Sequence, residues 1–159
     1  ISCPAEYAVL PDAYERLKNL LSEVGDMGKI KLCLEFPDKL LSIKGDVRTF
    51  ILDLKLLGIV SMVNCDVSGN CPFFRLTEIP VDNIILSSGM ANYVDDRNKP
   101  EVLRSLVQYL HSVDVKAIVE GEYTSEQLRA FNRIDCLGYL PHSENDFTLE
   151  EALSQKEAD

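Results

Sequence analysis

The chain reads as an α/β protein built on a parallel sheet, and three observations lead there. Short apolar runs alternate with amphipathic helical stripes about five times along the chain. Residues 58–87 compress an apolar strand (59–63), a polar loop, a short helix and a second apolar strand (81–86) into one unit. The 159 residues supply enough chain for one domain with its own core. Strands in such an order join by right-handed crossovers, and the loops at their carboxyl ends form the mouth of the site. That places Asn64, Cys65 and Asp66 at the mouth. The strand count suits either a doubly wound open sheet or most of an eight-stranded barrel, which typically takes about 250 residues.

The elements follow in order. Residues 1–7 open apolar, as the end of a strand. Residues 11–24 are helical: Pro11 suits a first turn, Asp12 suits the helix N-terminus, and Tyr14, Leu17, Leu20, Leu21 and Val24 share one stripe. Gly25 and Gly28 stop it. Residues 29–36 alternate, with Ile30, Leu32 and Leu34 on one side, and deliver Glu35 at the strand's carboxyl end. Asp46 caps the next helix, whose Val47, Phe50, Ile51 and Leu54 face inward and which ends at Gly58. Pro72 opens the short helix of the central unit and Pro80 closes it. A polar connection, residues 88–99, carries Asp95, Asp96 and Arg97 as a solvated turn. Residues 100–113 are a long helix through Leu103, Leu106, Val107 and Leu110; residues 116–119 are a strand delivering Glu120 and Gly121. Thr124 and Gln127 form a capping box for a helix carrying Leu128 and Phe131. Residues 134–140 read as a last strand, and Thr148 with Glu151 as the capping box of a terminal helix. There is no internal repeat, low-complexity segment or interdomain linker, so residues 1–159 read as one domain.

Composition narrows the function. Apolar residues make up 46% of the chain, an ordinary globular share. The formal net charge of -10 repels phosphate backbones and anionic lipid, which argues against nucleic acid and membrane surfaces as partners. No apolar run approaches the ~20 residues that cross a bilayer, and no signal-peptide pattern is present. The chain opens at Ile1 without a methionine, as a fragment or processed product would. Five cysteines, an odd number without a C-x-x-C pair, read as reduced and mostly buried thiols of a cytoplasmic protein. Cys65 and Cys71 are spaced poorly for zinc and have no histidine nearby. Cys65 as a nucleophile lacks an adjacent base, since His111 lies in a helix and His142 in a late loop; an inert, half-buried thiol is the favoured reading.

These residues resemble the EAL domain, the bacterial cyclic di-GMP phosphodiesterase. The family reads roughly G-V-x-I-A-L-D-D-F-G-T-G where this chain has residues 58–69, and L-P-V-D-x-L-K-I-D where it has residues 79–87. Gly58, Gly69, Pro80, Val81 and Asp82 stand in register. His111-Ser112, Lys116, Glu120-Gly121, Thr124 and Glu126-Gln127-Leu128 are similar to the family's H-S-x-x-x-K-x-x-A-E-G-x-E-T-x-E-Q-L. Leu34-Glu35 begins a segment similar to L-E-I-T-E, and Gly138-Tyr139 resembles the end of its Q-G-Y. Ile1-Ser2 matches the tail of its N-[LI]-S strand. The resemblance spans nearly the whole chain. It implies an incomplete TIM-barrel-like parallel sheet with surrounding helices, lacking the first strands of the barrel.

The departures fall on the family's chemistry. Its paired metal-holding aspartates fall on Asn64 and Cys65, and its catalytic lysine on Ile85. The following aspartate falls on Ser87, and the glutamine before Gly-Tyr on Leu137. Asp38 and Tyr123 stand at two further glutamate positions. Glu35 and Glu120 remain from the acidic cluster and are the weak metal candidates. Replacing two carboxylates by an amide and a thiol removes about two negative charges from the ligand set, and hard divalent cations need such oxygens. The resemblance therefore implies residual site positions at Glu35, Asn64, Cys65, Ile85, Glu120 and Leu137, with no catalytic residue and no metal expected. It also implies a regulatory or protein-binding module, with a protein partner or self-association and with cyclic di-GMP as a further candidate ligand. The alternatives are a fragment of an active enzyme, for which Mg²⁺ or Mn²⁺ would be the cofactor, and a metal-free cyclic dinucleotide receptor. Phe73 and Phe74 lie in the loop and short helix that make dimer contacts in the family, so they are the interface candidates. Asp66 is expected to point into the loop.

Overall fold

A computed structural model describes residues 1–25, 31–65, 71–90, 92–95 and 100–140. A 3-10 turn at Ala5–Val9 precedes helix α1 (Ala13–Val24). Strand β1 (Cys33–Pro37) runs through a 3-10 turn at Asp38–Ser42 into α2 (Val47–Leu56). Strand β2 (Val60–Cys65) leads to a 3-10 turn at Phe73–Thr77 and strand β3 (Asn83–Leu86). After a 3-10 turn at Ser88–Met90 come the short α3 (Asn92–Asp95), α4 (Pro100–Ser112), β4 (Lys116–Glu120), α5 (Ser125–Arg133) and β5 (Gly138–Leu140).

The sheet has the order β1-β2-β3-β4-β5, parallel throughout. A doubly wound sheet reverses its strand order at a switch point. This one does not, so the open-sheet alternative gives way to a barrel-type arrangement that, among the described residues, is not closed. The outer side of β1 carries one further contact: Ser2 forms a parallel bridge to Glu35. There the Cys3 N–H donates to the Glu35 carbonyl at 2.7 Å and the Glu35 N–H donates to that of Ile1 at 2.8 Å.

Strand alternation divides the side chains between two faces. Leu34, Phe36, Val63, Cys65, Ile84, Leu86, Ala117 and Val119 form one apolar layer with Leu17, Ile51, Leu54, Leu103, Leu110 and Phe131 of the helices. Each fully buried aliphatic side chain there contributes about 1.5–3 kcal/mol relative to exposure. The opposite face presents Glu35, Met62, Asn64, Asn83, Ile85, Lys116, Ile118 and Glu120. Ile85 and Ile118 are buried yet stand outside the helix-packed layer.

Local chemistry sets the element ends. Asp46 accepts from the Thr49 N–H at 3.1 Å and from its hydroxyl at 2.7 Å. Those two bonds hold the Asp46 carboxyl below its ordinary range and start α2, whose Val47, Phe50, Ile51 and Leu54 are buried. Gly58, at φ 73°, makes the left-handed turn that stops the helix and releases the chain into β2. Thr124 and Gln127 make both halves of the capping box of α5. At the amino ends of the strands, the Asp82 carboxylate accepts from the Ser61 N–H at 2.8 Å and the Ser61 hydroxyl at 2.7 Å. Lys55 approaches its other oxygen at 3.2 Å. Ser61 is fully buried, and this latch satisfies it.

Several expectations need correction. Residues 1–7 do not continue as a strand: only Ser2 bridges, and Pro4, which has no N–H to give a ladder, starts the 3-10 turn. Residues 134–140 are not strand throughout, because Ile134 caps α5 and Asp135 takes φ 67° before β5 begins at Gly138. Asn64 and Cys65 are the end of β2, not the loop after it, and Glu35 lies mid-strand in β1. Part of residues 88–99 is regular, at Ser88–Met90 and Asn92–Asp95. Asp66, Gly69, Asp96, Arg97, His142, the Thr148 and Glu151 capping box with its helix, and the start of the strand drawn over residues 29–36 lie outside the described residues, as does Gly28.

Candidate functional site

The open face near the carboxyl ends of the strands holds most of the expected positions. Hydrogen-bonded register runs Pro37, Asn64, Ile85, Ile118 and Gly138 across the sheet. Glu120 closes β4 on the same face, opposite Leu140 of β5. Glu35 belongs to the row of Met62, Asn83 and Lys116, so by register it lies level with the opening of β4. The two surviving glutamates thus share a face but not a row.

Asn64 and Glu35 meet. The Asn64 side-chain amide donates to Glu35 Oε1 at 3.1 Å, partly shielded from solvent. The pairing is chemically self-consistent: an amide supplies a donor to an ionised carboxylate, and its own oxygen remains an acceptor. Ile85 beside it is buried and brings only hydrocarbon.

Cys65 does not belong to this face. It is 1% exposed, lies in the helix-packed layer, and is joined by a disulfide to Cys71. Both the reading of Cys65 as a residual site position and the reading of the cysteines as uniformly reduced thiols are corrected here. The zinc pairing of Cys65 with Cys71 falls with them. Strand alternation already contained the signal, since Val63 and Cys65 share a parity that Asn64 does not.

Leu137 is likewise displaced. It precedes β5, donates its N–H to the Ala117 carbonyl at 2.8 Å, and lines a cleft with His111, Asp114 and Lys116 at the amino ends of the strands. Its side of the sheet is the stability side of such folds, and it is 54% exposed. The residue that β5 brings opposite Glu120 is Leu140, which sequence reasoning missed because the strand began too early. Buried Asn83, beside Met62 on the open face, was also missed, although its alternation with Ile85 marks it.

Tyr123 stands close to Glu120 and shapes the turn after β4. Its hydroxyl donates to the Glu120 carbonyl at 2.5 Å, and its ring meets Phe131 edge-on at 4.9 Å. Burial first, and the Glu120 charge second, push its phenol up to about 12. Gly121 at φ 142° leaves room for this: a Cβ there would meet the Tyr123 hydroxyl and Ser88 Cβ at 3.1 Å each.

The hard-cation ligand set is not assembled by these residues. Asn64 is occupied with Glu35, Cys65 faces the other way, Ile85 has no donor atom, and Glu120 lies in another row. Among the described residues no group of three or more His, Cys, Asp or Glu side chains converges. The interface candidates separate. Phe73 is partly buried against the core, with the Tyr109 hydroxyl donating to its carbonyl at 2.9 Å; Phe74 is 69% exposed. No helix among the described residues is long and apolar enough to cross a membrane.

The family model described as the EAL domain matches residues 5–139. No curated protein matches. Among solved structures, the EAL enzyme Bd1971 in its cAMP- and cyclic-di-GMP-bound form superposes with TM-score 0.73 at 17% identity, covering 86% of this chain and 36% of that one. An EAL domain protein from Listeria monocytogenes EGD-e superposes with TM-score 0.71 at 18% identity, covering 99% and 63%. The FimX EAL domain from Pseudomonas aeruginosa, bound to c-di-GMP, superposes with TM-score 0.70 at 14% identity, covering 85% and 56%. The chain therefore spans less than two thirds of the length of each.

Proposed function

Because the chain belongs to the EAL domain family, we propose that it is a catalytically inactive EAL domain acting as a regulatory or protein-binding module in cyclic di-GMP signalling. The observation that carries this reading is the Asn64–Glu35 hydrogen bond on the open face. Metal-assisted phosphodiester cleavage needs anionic oxygens to hold the cation, a polarised water, and a stabiliser for the developing phosphate charge. Here an amide neutralises the hydrogen-bonding demand of one carboxylate, and Ile85 can neither move a proton nor balance charge. Two glutamates in different rows are fewer ligands than Mg²⁺ takes without help from substrate phosphates.

The test is hydrolysis of cyclic di-GMP by the chain in excess Mg²⁺ or Mn²⁺, followed by separation of nucleotide products. No turnover above buffer is expected. Metal-dependent turnover overturns the inactive reading and promotes the alternative of a fragment of an active phosphodiesterase. A second reading, a metal-free cyclic dinucleotide receptor, draws support from the cyclic di-GMP bound to the FimX domain. Calorimetric titration of the chain with cyclic di-GMP in EDTA separates the two: heat of binding without hydrolysis favours the receptor.

A further inference from the structure

The disulfide sits at the carboxyl end of β2, one residue beyond Asn64, and both of its cysteines are held by backbone hydrogen bonds. The Cys65 carbonyl accepts from the Ser87 N–H at 3.4 Å, and Cys65 pairs with Leu86 in the ladder. The Cys71 carbonyl accepts from the Phe73 N–H at 2.9 Å, at the entry to the 3-10 turn. The two Cα atoms lie 5.8 Å apart, inside the range a disulfide spans without moving the backbone. Their surroundings differ. Cys65 is sealed in the helix-packed layer, whereas Cys71 is only partly buried against it. Of the two, Cys71 is thus the nearer to solvent, and Cys65 lies behind it in the core.

We propose that Cys65 and Cys71 form a reversible thiol–disulfide exchange site, entered at Cys71 and resolved by Cys65, for low-molecular-weight disulfides of the glutathione class. In the first step the Cys71 thiolate attacks one sulfur of glutathione disulfide. A bond forms between Cys71 and that sulfur, the glutathione S–S bond breaks, and one glutathione leaves as a thiolate that takes a proton from water. In the second step Cys65 gives its proton to solvent and attacks Cys71 Sγ, which expels the second glutathione. The dithiol loses two electrons, glutathione disulfide gains them, and the products are the Cys65–Cys71 bond and two reduced glutathiones. The reverse exchange begins with a glutathione thiolate at the Cys71 sulfur. Two of the other cysteines are poorer entry points: burial raises the Cys3 thiol and pushes Cys136 up to about 11, which keeps them protonated and slow. Oxidation links the end of β2 to the entry of the 3-10 turn at Phe73–Thr77, and reduction removes that link. This holds whether or not the open face binds a nucleotide.

The experiment equilibrates the chain in glutathione buffers of stepped reduced-to-oxidised ratio, quenches in acid, labels free thiols with N-ethylmaleimide after unfolding, and maps labels by peptide mass spectrometry. Expected is the loss of labels from Cys65 and Cys71 together, in one transition, with a peptide linked 65 to 71 at the oxidised end. Three results each overturn the proposal: both cysteines labelled at every ratio, the bond intact in reduced glutathione alone, or Cys71 ending bonded to Cys3, Cys33 or glutathione. In Cys71→Ser, Cys65 should keep its label throughout; glutathione found on Cys65 reverses the assigned order and overturns the entry role of Cys71. In Cys65→Ser, Cys71 should stop at the glutathione mixed disulfide. Because that substitution buries a hydroxyl in the core, the wild-type label pattern decides the case if the variant does not fold.

Discussion

Asn64→Asp turns the one close polar contact of the open face from attraction to repulsion. In the native chain the Asn64 amide donates to Glu35 Oε1 at 3.1 Å. The substitution removes a hydrogen bond to a charged acceptor, which contributes about 1.5–3 kcal/mol. It also sets two carboxylates side by side: unit charges about 4 Å apart repel by about 4 kcal/mol at an effective dielectric of ~20. Side-chain rotation toward solvent relieves part of that, so the expected net loss at pH 7.5 and low salt is about 2–3 kcal/mol. That repulsion favours the protonated form, so it raises one carboxyl of the pair in the variant. The sign follows from linkage. A carboxyl whose folded pKa is raised leaves the variant undisturbed by repulsion below the unfolded value of ~4, and the loss develops as pH rises through the raised folded value. Urea unfolding in EDTA at pH 4.5 and pH 7.5 measures it: the gap between variant and native chain should be much smaller at the lower pH. Adding Mg²⁺ at pH 7.5 should recover part of the loss, because a cation between the carboxylates stabilises only the folded pair. Equal stability of variant and native chain at both pH values, with no response to Mg²⁺, refutes the Asn64–Glu35 contact and the site built on it.

Cys65→Asp should behave quite differently from its neighbour. It places a carboxylate in the helix-packed layer and removes the bond to Cys71, so a loss of about 4 kcal/mol or more is expected. Circular dichroism melts should show Asn64→Asp folded and the chain carrying both Asn64→Asp and Cys65→Asp largely unfolded, and added divalent cation should not rescue the latter. Tyr123 gives a pH signature at the alkaline end. Its phenol is pushed up to about 12 by burial and by Glu120, against ~10 in the unfolded chain. Its contribution is complete below pH ~10 and is lost as pH rises through about 12, so Tyr123→Phe should flatten the fall in urea midpoint between pH 9 and pH 11. Thr124→Ala removes the cap of α5 and should cost about 1 kcal/mol in chemical denaturation. Thr124→Ser should restore most of it.

The sequence made the strands and helices legible wherever apolar periodicity was long, as in α1, α2 and α4, and wherever a cap spelled its own geometry, as at Asp46 and Thr124. It was less informative at strand ends. Asn64 and Cys65 look like the start of a loop because polarity rises there, yet pairing with Pro37 and Leu86 carries β2 through both. The parity that separates Asn64 from Cys65 was readable from Val63 onward. The bond between Cys65 and Cys71 was not: it depends on the two Cα atoms coming within 5.8 Å, and no local pattern encodes that. Leu137 was misplaced because α5 and its left-handed exit at Asp135 consume residues that an apolar run assigns to a strand. The identity of the site rows needed the register itself, which short parallel strands fix through packing on the helix face rather than through turns.

The latch of Asp82 on Ser61 has a consequence for how such a chain can change over time. The carboxylate ties β2 to β3 at their amino ends, Lys55 offsets its charge, and the Asp82 carbonyl accepts from the Lys116 N–H at 3.1 Å, which draws β4 into the same clasp. Three strands are thereby gathered at the end remote from the mouth. Substitutions at the mouth, at Asn64 or Ile85, then meet a scaffold already secured from behind, so side chains there can be exchanged without the barrel-type sheet coming apart.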